Sequence, residues 1–302
     1  MNAIEIKDLK KIYATGVEAL KGIDLTIEQG DFFALLGANG AGKTTIISIL
    51  TSITNKTSGS VKVLGTDIDV DFDTVKSHFG VVPQEFNFSI FEKVLDIVVN
   101  QAGFYGIPRQ EATDRARKIL TDLGLGDKLN QVSRTLSGGM KRRLMIARAL
   151  VHNPKILILD EPTAGVDVEL RHGMWDYLLK LNRDHGVTIL LTTHYLEEVE
   201  AMCRNCAIIK KGEIVKTGTV RKLLGSLEKE TYVAEVSDMG NYEKITGYIV
   251  TKIDDQTLEV VLEKDQTLND LVAAFSKNGV VLQGIRPKGN RLEELFLNII
   301  GK

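Results

Sequence analysis

A glycine-rich stretch near the N-terminus carries the residue types that bind phosphate. Residues 37–44, GANGAGKT, match the pattern G-x-x-x-x-G-K-[ST] between a strand-like run and a helix-like run. Such glycines let successive N–H groups face an anion, while the lysine reaches the β- and γ-phosphates and the hydroxyl reaches Mg²⁺. The pattern therefore predicts a nucleotide site in which Lys43 and Thr44 have these roles. The predicted contacts are Gly37, Ala38, Asn39, Gly40, Ala41, Gly42, Lys43, Thr44 and Thr45.

Two adjacent carboxylates end the apolar run ILILDEP at residues 156–162. In α/β sheets, ligands bind at the carboxyl ends of the strands, so we expect Asp160 to hold Mg²⁺ directly or through water. Neighbouring acids repel one another, which is costly without a cation. We interpret Glu161 as the general base that polarises the attacking water. A second metal ligand or a solvated charge is the alternative for Glu161.

Two further polar residues follow apolar runs and are predicted to lie at the same edge. His194 ends VTILLTTH, where it can donate to a γ-phosphate oxygen. Gln84, in VVPQEF, can contact Mg²⁺ or the attacking water. Taken alone, His194 would more often be an ordinary hydrogen-bonded histidine, and Gln84 would be uninformative. Both assignments depend on the phosphate loop and the carboxylates.

A second glycine motif stands in TLSGGMKRRLMIARAL, residues 135–150. Core packing does not call for Ser137, Gly138 and Gly139 directly before a run of strong helix formers. Glycines at a helix N-terminus let N–H groups face an anion, and the helix dipole adds positive charge there. The motif predicts an anion site whose ligand lies at residues 37–44 or in another copy of the chain.

The hydrophobic pattern predicts an α/β fold of the P-loop type with three parts in its first domain, residues 1–225. Alternating antiparallel strands cover residues 3–36, a helical insert covers about 85–150, and buried parallel strands follow. The first insert helix is expected at 89–106. Residues 226–302 are predicted to form a small α+β domain with strands at 231–237, 257–263 and 280–287 and helices at 267–279 and 291–301.

Composition limits the function classes. The chain has 302 residues, 43% hydrophobic and 26% charged, with a net charge of −2, which argues against binding nucleic acid through a strongly basic surface. No apolar run approaches the roughly 18 residues that span a bilayer, so we expect the chain to stay in the cytoplasm. Cys203 and Cys206 form a single C-x-x-C without a second Cys/His pair, which favours core packing over a metal or redox site.

In their order along residues 4–225, these motifs resemble the ATP-binding subunit of ABC transporters. The order is Tyr13, GANGAGKT, Gln84, LSGGM, ILILDEP, AGVD and His194. LSGGMKRRL, DEPTAGVD and a terminal LEELF-type helix resemble the exporter branch with compact six-helix permeases, the DrrA-like and YadG-like ATPases. Two positions depart from the general pattern: Met140 replaces Gln, and AGVD replaces Ser-Ala-Leu-Asp. Both variants are familiar in that branch.

The resemblance implies a fold of the ABC ATPase type and assigns roles to further residues. Tyr13 would stack on adenine, Ser137, Gly138 and Gly139 would close over the γ-phosphate held by a second copy, and Asp167 would lie in a loop at the dimer interface. The implied function is ATP hydrolysis, with ATP and Mg²⁺, that drives a separate integral-membrane permease through head-to-tail dimerisation. The subunit would sit at the cytoplasmic face of the cell membrane, with no nucleic-acid partner.

An ABC ATPase that acts on DNA or the ribosome is the main alternative. The 94 positions from Lys43 to Ser137 hold a small helical insert and no long coiled coil, and the chain has one phosphate loop. A P-loop kinase would leave LSGGM and His194 unexplained.

The helical insert contains candidates for a permease-docking groove, with core packing as the alternative: Phe86, Phe88, Phe104 and Tyr105. Of Lys141, Arg142 and Arg143, one could support closure on phosphate, and a solvated helical face is expected for at least two.

Overall fold

The computed structural model describes residues 1–163 and 168–300. The chain divides into two compact units, Met1–Val220 and Arg221–Lys302. The predicted domain boundary at 225/226 stays a prediction, and this division lies five residues before it. The strands are β1 (Asn2–Ile12), β2 (Glu18–Glu28), β3 (Phe32–Leu36), β4 (Ser58–Val63), β5 (Thr66–Asp67), β6 (Phe79–Val82), β7 (Ile156–Asp160), β8 (Thr188–Thr192), β9 (Asn205–Lys210), β10 (Glu213–Thr219), β11 (Lys229–Asp238), β12 (Ile249–Asp254), β13 (Thr257–Glu263) and β14 (Val281–Pro287). The helices are α1 (Lys43–Leu50), α2 (Phe72–Ser77), α3 (Val94–Gly103), α4 (Arg109–Asp122), α5 (Gly138–Leu150), α6 (Val168–His185), α7 (Leu196–Met202), α8 (Val220–Leu224), α9 (Leu268–Lys277) and α10 (Arg291–Ile300).

The first unit is built on a six-stranded sheet with the order β10-β9-β3-β8-β7-β6. Strands β6, β7, β8, β3 and β9 run parallel, and only β10 pairs antiparallel with its neighbour. β3 and β8 are buried at every residue, as expected of strands covered on both faces. Val82 pairs with Leu159, Asp160 with Thr192, and Thr192 with Leu35, so four strands end at one edge.

A smaller antiparallel sheet, β2-β1-β4-β5, packs into the same core. The predicted antiparallel strands are confirmed for β1 and β2, whose residues pair from Asn2 opposite Glu28 to Ile12 opposite Glu18. The prediction is wrong for Phe32–Leu36, because β3 pairs parallel with β8 and β9. Unlike β2, which alternates buried and exposed residues, β3 is wholly buried, and a continuous apolar run is typical of a central parallel strand.

The helical insert consists of α3, α4 and α5. Its first helix begins at Val94 rather than at residue 89, because residues 83–93 form an irregular segment before α3. The backbone of that segment bonds to a second irregular stretch: Ser133 N–H donates to Glu92 at 2.9 Å and Arg134 N–H to Ile90 at 2.9 Å.

The second unit is a four-stranded antiparallel sheet, β12-β13-β11-β14, with α9 packed on β14. Leu258, Val260, Leu271 and Phe275 are buried in its core. The predicted strands and helices are present, but β12 was missed. None of its six residues is fully buried, so this edge strand lacks the alternation on which the sequence prediction depends.

Two findings bear on the remaining sequence predictions. Cys203 and Cys206 are free thiols packed in the first unit, and burial raises the pKa of Cys206 to about 12. Both cysteines therefore contribute to core packing.

Across residues 1–163 and 168–300, the helices include none with the length and apolar content needed to cross a bilayer.

Candidate functional site

The phosphate loop connects the end of β3 to the start of α1, as its sequence predicts. A Cβ on Gly37 would lie 2.6 Å from the Ile209 carbonyl oxygen, and a Cβ on Gly42 would lie 2.9 Å from a Leu20 methyl. Gly42 also has φ of 119°, which side chains with a Cβ avoid. These two glycines therefore let the loop turn tightly against β9 and β2.

Lys43 is the first residue of α1, and its side chain lies within the loop. Its Nζ donates to the carbonyl oxygens of Gly37 at 2.6 Å and Ala38 at 3.2 Å. Burial lowers the pKa of Lys43, while the charges of Glu161 and Asp160 act in the opposite direction. The ammonium is thus held beside the carboxylate pair at the N-terminus of α1, where its charge and the helix dipole both favour an anion.

The Glu161 carboxylate is contacted from two other strand ends. Its Oε2 accepts a hydrogen bond from Gln84 Nε2 at 3.1 Å, and its Oε1 lies 3.2 Å from His194 Nδ1. Glu161 itself has φ of 49°, a left-handed conformation rare outside glycine, and its N–H donates to the Thr192 carbonyl at 2.9 Å. The structure therefore brings together Gln84, Glu161 and His194, three of the four residues predicted for hydrolysis, which are distant in sequence.

The predicted Mg²⁺ ligands Thr44, Gln84 and Asp160 supply a hydroxyl, an amide oxygen and a carboxylate, the hard oxygen donors that this ion prefers. Thr192 donates its hydroxyl proton to Asp160 Oδ1, which orients that carboxylate. Gln84 uses Nε2 on Glu161, so its Oε1 is the amide atom suited to a cation. The described residues contain no cluster of three or more His, Cys, Asp or Glu side chains that could hold a metal, so Mg²⁺ would rely on substrate phosphate oxygens as well.

Tyr13 lies beside α1, the helix that follows the phosphate loop. Its hydroxyl is 3.3 Å from Thr45 Oγ1, and the Lys11 ammonium lies 4.9 Å from its ring centroid. The Tyr13 residue is 36% exposed. A partly exposed aromatic ring next to α1 fits the predicted stacking on a nucleotide base.

The second glycine motif forms the N-terminus of α5. Ser137 is the N-cap residue, and its Oγ accepts the Met140 N–H at 3.3 Å. This bond leaves the Ser137 O–H proton free to donate. Ser137 and Gly138 are exposed, Gly139 is buried, and the first turn of α5 contains no acidic residue. In the described part of the chain, no hydrogen bond joins this motif to the phosphate loop. Asp167 lies outside the described residues.

Sequence reasoning missed the role of Arg142. The expectation of a solvated face for at least two of Lys141, Arg142 and Arg143 is wrong. Arg142 is 3% exposed and donates to the Pro83 and Gln84 carbonyls, and Arg143 is half-buried and donates to Leu123. Clustered charged residues near the start of a helix usually indicate a solvent-exposed face. No local feature of the sequence shows that Arg142 and Arg143 depart from this rule.

A buried acid behind the site was also missed. Glu198, in α7, has no exposed surface, and its Oε1 accepts a hydrogen bond from the Thr163 hydroxyl. Burial raises the pKa of Glu198, and hydrogen bonding from Thr193 partly opposes that effect. Because Thr163 follows Glu161 by two residues and Thr193 precedes His194, Glu198 supports both segments from beneath.

Comparison with known proteins assigns this site to a family. Residues 20–164 match the ABC transporter family. The chain is 35% identical over 302 residues to Nod factor export ATP-binding protein I of Cupriavidus metallidurans, covering 99% of this chain and 97% of the relative. The chain belongs to the ATP-binding subunits of ABC transporters. The resemblance drawn from the order of the motifs is confirmed.

Two further comparisons bear on this ABC subunit. The daunorubicin/doxorubicin resistance ATP-binding protein DrrA of Streptomyces peucetius is 36% identical over 307 residues, which cover 99% of this chain and 92% of DrrA. An ATP-binding cassette solved as a dimer in a post-hydrolysis state with ADP and phosphate superposes with a TM-score of 0.66 at 29% identity, covering 72% of this chain and 99% of that cassette. The predicted ABC ATPase fold is confirmed, and the chain is an ABC-type ATPase.

Proposed function

We propose that this ATPase drives an exporter by binding ATP between the phosphate loop of one copy and the Ser137–Gly139 motif of a second. The observation that carries the hydrolytic part is the Glu161 carboxylate, held between Gln84 and His194 and close to Lys43. A base, a phosphate-binding lysine and two polar partners at one sheet edge are what in-line attack of water on a γ-phosphate requires.

Each side chain has a distinct part in this chemistry. Lys43 and the N–H groups at the start of α1 bind the β- and γ-phosphates. Each Glu161 oxygen has one protein partner and keeps a lone pair for the attacking water, whose proton it accepts. His194 faces Glu161 through Nδ1 and has Nε2 available for a γ-phosphate oxygen. Mg²⁺, when held by Thr44, Gln84 and Asp160, would neutralise phosphate charge.

The two-copy arrangement follows from the exposure of the second motif. Ser137 and Gly138 present a hydroxyl and backbone groups to solvent at a helix N-terminus, where an anion is favoured. The phosphate loop of the same chain already has its own lysine and helix. The dimeric form of the solved cassette supports closure by a second copy, and a symmetric pair would form two equivalent nucleotide sites.

Coupling to a membrane permease is supported by a groove in the helical insert. The groove has a volume of about 550 Å³ and adjoins the segment that follows Gln84. Its lining includes Phe88, Ser89, Gly103, Phe104, Ile107 and Arg148. Phe104 is 85% exposed, which suits an apolar segment of a partner protein. Tyr105, another predicted docking residue, stacks on His152 at 3.7 Å between centroids, as the packing alternative expects.

The export direction is supported by the extent of the similarity. The Nod factor export protein and DrrA align over 99% of this chain, including the second unit, whereas the solved cassette covers 72%. That smaller share is close to the fraction occupied by the first unit. The second unit is thus shared with full-length relatives, one of them named for export.

The experiment that tests the two-copy site uses Glu161→Gln. This variant keeps the shape of the side chain but has no base, so it should bind ATP, hydrolyse it about 10²- to 10⁴-fold more slowly, and elute from a sizing column as an ATP-dependent dimer. Glu197→Gln, at an exposed position in α7, is the control and should hydrolyse ATP normally. A Glu161→Gln protein that stays monomeric with ATP bound would contradict the proposal.

The partner is tested by purification of the full chain from its own cells. A polytopic membrane protein that co-purifies, and whose release follows Phe104→Asp, supports the transport role. Recovery with ribosomes or DNA, unaffected by that substitution, would favour the alternative of an ABC ATPase that acts on those assemblies.

A further inference from the structure

The backbone around Gln84 is held by side chains of α5. Residues 83–88 have no regular secondary structure, so their carbonyl groups lack ladder partners. Arg142 Nη1 donates to the Pro83 carbonyl and Nη2 to the Gln84 carbonyl, both at 2.8 Å. Six residues further along α5, Arg148 Nη1 donates to the Asn87 carbonyl at 3.0 Å. Two arginines of one helix therefore fix the segment that carries Gln84.

Arg142 has the environment of a structural clamp. Its side chain is 3% exposed, and its guanidinium lies 5.1 Å from the centroid of the Phe86 ring. Burial lowers the pKa of Arg142, and the negative charges of Asp160 and Glu161 oppose that effect, so the guanidinium lies within electrostatic range of both carboxylates. A planar fork that reaches two successive carbonyls and packs on a ring is a geometry that the lysine ammonium cannot reproduce.

Arg142 also lies on the helix that begins at the Ser137 motif. Ser137 caps α5, and Arg142 follows five residues later, about 7.5 Å along the axis. A helical segment of this length behaves as a rigid unit. A continuous set of contacts therefore runs from the Ser137 end of α5 through Arg142 to the Gln84 backbone, and from the Gln84 amide to Glu161 Oε2 at 3.1 Å.

We propose that Arg142 is a positioning residue that holds Gln84 against Glu161 and links the Ser137 motif to the hydrolytic site of its own chain. Since that motif would close over the nucleotide of the second copy, Arg142 makes the rate of hydrolysis in one site respond to closure of the other. The inference rests on the proposed function for the assignment of Gln84, Glu161 and the Ser137 motif.

The test compares two adjacent arginines of α5. Arg142→Lys should lower kcat about 10- to 100-fold through misplacement of Gln84, with KM for ATP and Tm close to the wild-type values. Arg143→Lys is the matched control, since Arg143 donates to Leu123 inside the helical insert and not to the Gln84 segment. It should retain kcat within about twofold, because the same replacement of a guanidinium by an ammonium is made one residue away, where it does not touch the Gln84 segment.

A double-mutant cycle separates this role from a general structural one. If Arg142 acts through Gln84, the double variant Arg142→Lys with Gln84→Ala should be no slower than Gln84→Ala alone. Additive losses, an equal loss in Arg143→Lys, or an effect on KM alone would overturn the inference. If Arg142→Lys does not fold, the cycle of Arg142→Gln with Gln84→Ala decides, with the same non-additivity expected and additivity contradicting the inference.

The same cycle distinguishes failure of the inference from failure of the proposed function. Full activity in Gln84→Ala would overturn the inference and the role assigned to Gln84, whereas the two-copy site itself is tested by Glu161→Gln. A large loss in Gln84→Ala with wild-type kcat in Arg142→Lys would overturn the role of Arg142 alone.

Discussion

The phosphate-loop face and the Ser137 face of this subunit are built in opposite ways. Lys43 and Glu161 are 7% and 9% exposed, and both carboxylate oxygens of Glu161 face protein partners. Ser137 and Gly138 are exposed, and the Ser137 hydroxyl has the Met140 N–H as its partner. The first face is fixed by its own chain, whereas the second presents donors outward.

This difference corresponds to two physical requirements. Stabilisation of charge that develops during phosphoryl transfer depends on groups fixed in advance, because they need no reorganisation at the moment of reaction. Recognition of an anion across a subunit interface instead needs accessible donors that desolvate on contact. The comparison predicts that damage to the first face acts within one chain, whereas damage to the second acts on the other copy.

The largest expected effect tests that prediction directly by mixing two inactive proteins. Lys43→Ala removes the phosphate lysine, and Ser137→Arg blocks the exposed motif, so each homodimer should lose at least about 100-fold in ATPase activity. A mixed dimer of these variants has one site with both faces intact. Equal mixtures should therefore rise above background, to at most about a quarter of wild-type activity, because half of randomly formed pairs are mixed. The response of the intact site to closure of the damaged one lowers the recovery below this limit.

The control for this experiment is a mixture of Lys43→Ala with Glu161→Gln. Both changes damage the phosphate-loop face, so neither site of the mixed dimer is complete and activity should stay at background. If the first mixture also stays at background although mixed dimers form, the Ser137 face does not act on the other copy.

The next effect is expected from His194, at the rim of the fixed face. His194→Ala removes the group 3.2 Å from Glu161 Oε1 and should lower kcat about 100-fold while ATP affinity changes only a few-fold. His185→Ala, an exposed histidine at the end of α6, is the control and should leave kcat unchanged. Steady-state kinetics and a fluorescent nucleotide titration measure the two quantities. Loss of affinity with unchanged kcat would assign His194 to nucleotide binding.

A smaller effect is expected from Met140, on the exposed face. The Met140 N–H donates to Ser137 Oγ, the N-cap oxygen of α5, and the half-buried thioether side chain has no hydrogen-bond donor to offer to that face. Met140→Gln should therefore keep ATPase activity within about threefold of the wild type, since the helix N-terminus and the Ser137 hydroxyl are retained. A fall to background would show that the Met140 side chain takes part in closure.

The sequence predicted much of the fixed face because its residues follow strand ends. Gly37, Gln84, Glu161 and His194 each stand within two residues of the last residue of a parallel strand, and apolar runs reveal such strands. The contacts between them required the pairing of Asp160 with Thr192 and of Val82 with Leu159, which sequence periodicity does not give. Arg142 was misjudged for the same reason, since its partners lie 58 and 59 residues away.

The smallest expected effect concerns Glu198, the buried acid beneath the fixed face. Its pKa is raised by burial, so between its ordinary value of 4.5 and the raised value the native state binds more protons than the unfolded state. The contribution of Glu198 to stability is therefore greatest at low pH and is lost as pH rises through this range. Glu198→Gln cannot titrate and lacks this pH dependence.

The measurement is the free energy of unfolding in urea at pH 5, 6.5 and 8 for the wild type and Glu198→Gln. The stability of the wild type relative to the variant should fall as pH rises across this range. Glu197→Gln, exposed on the same helix, should follow the wild-type curve in parallel. A constant difference between wild type and Glu198→Gln would mean that Glu198 stays ionised in the fold, held by Thr163 and Thr193 as a structural anion. The fixed face would then rest on a buried charge as well as on its strand register.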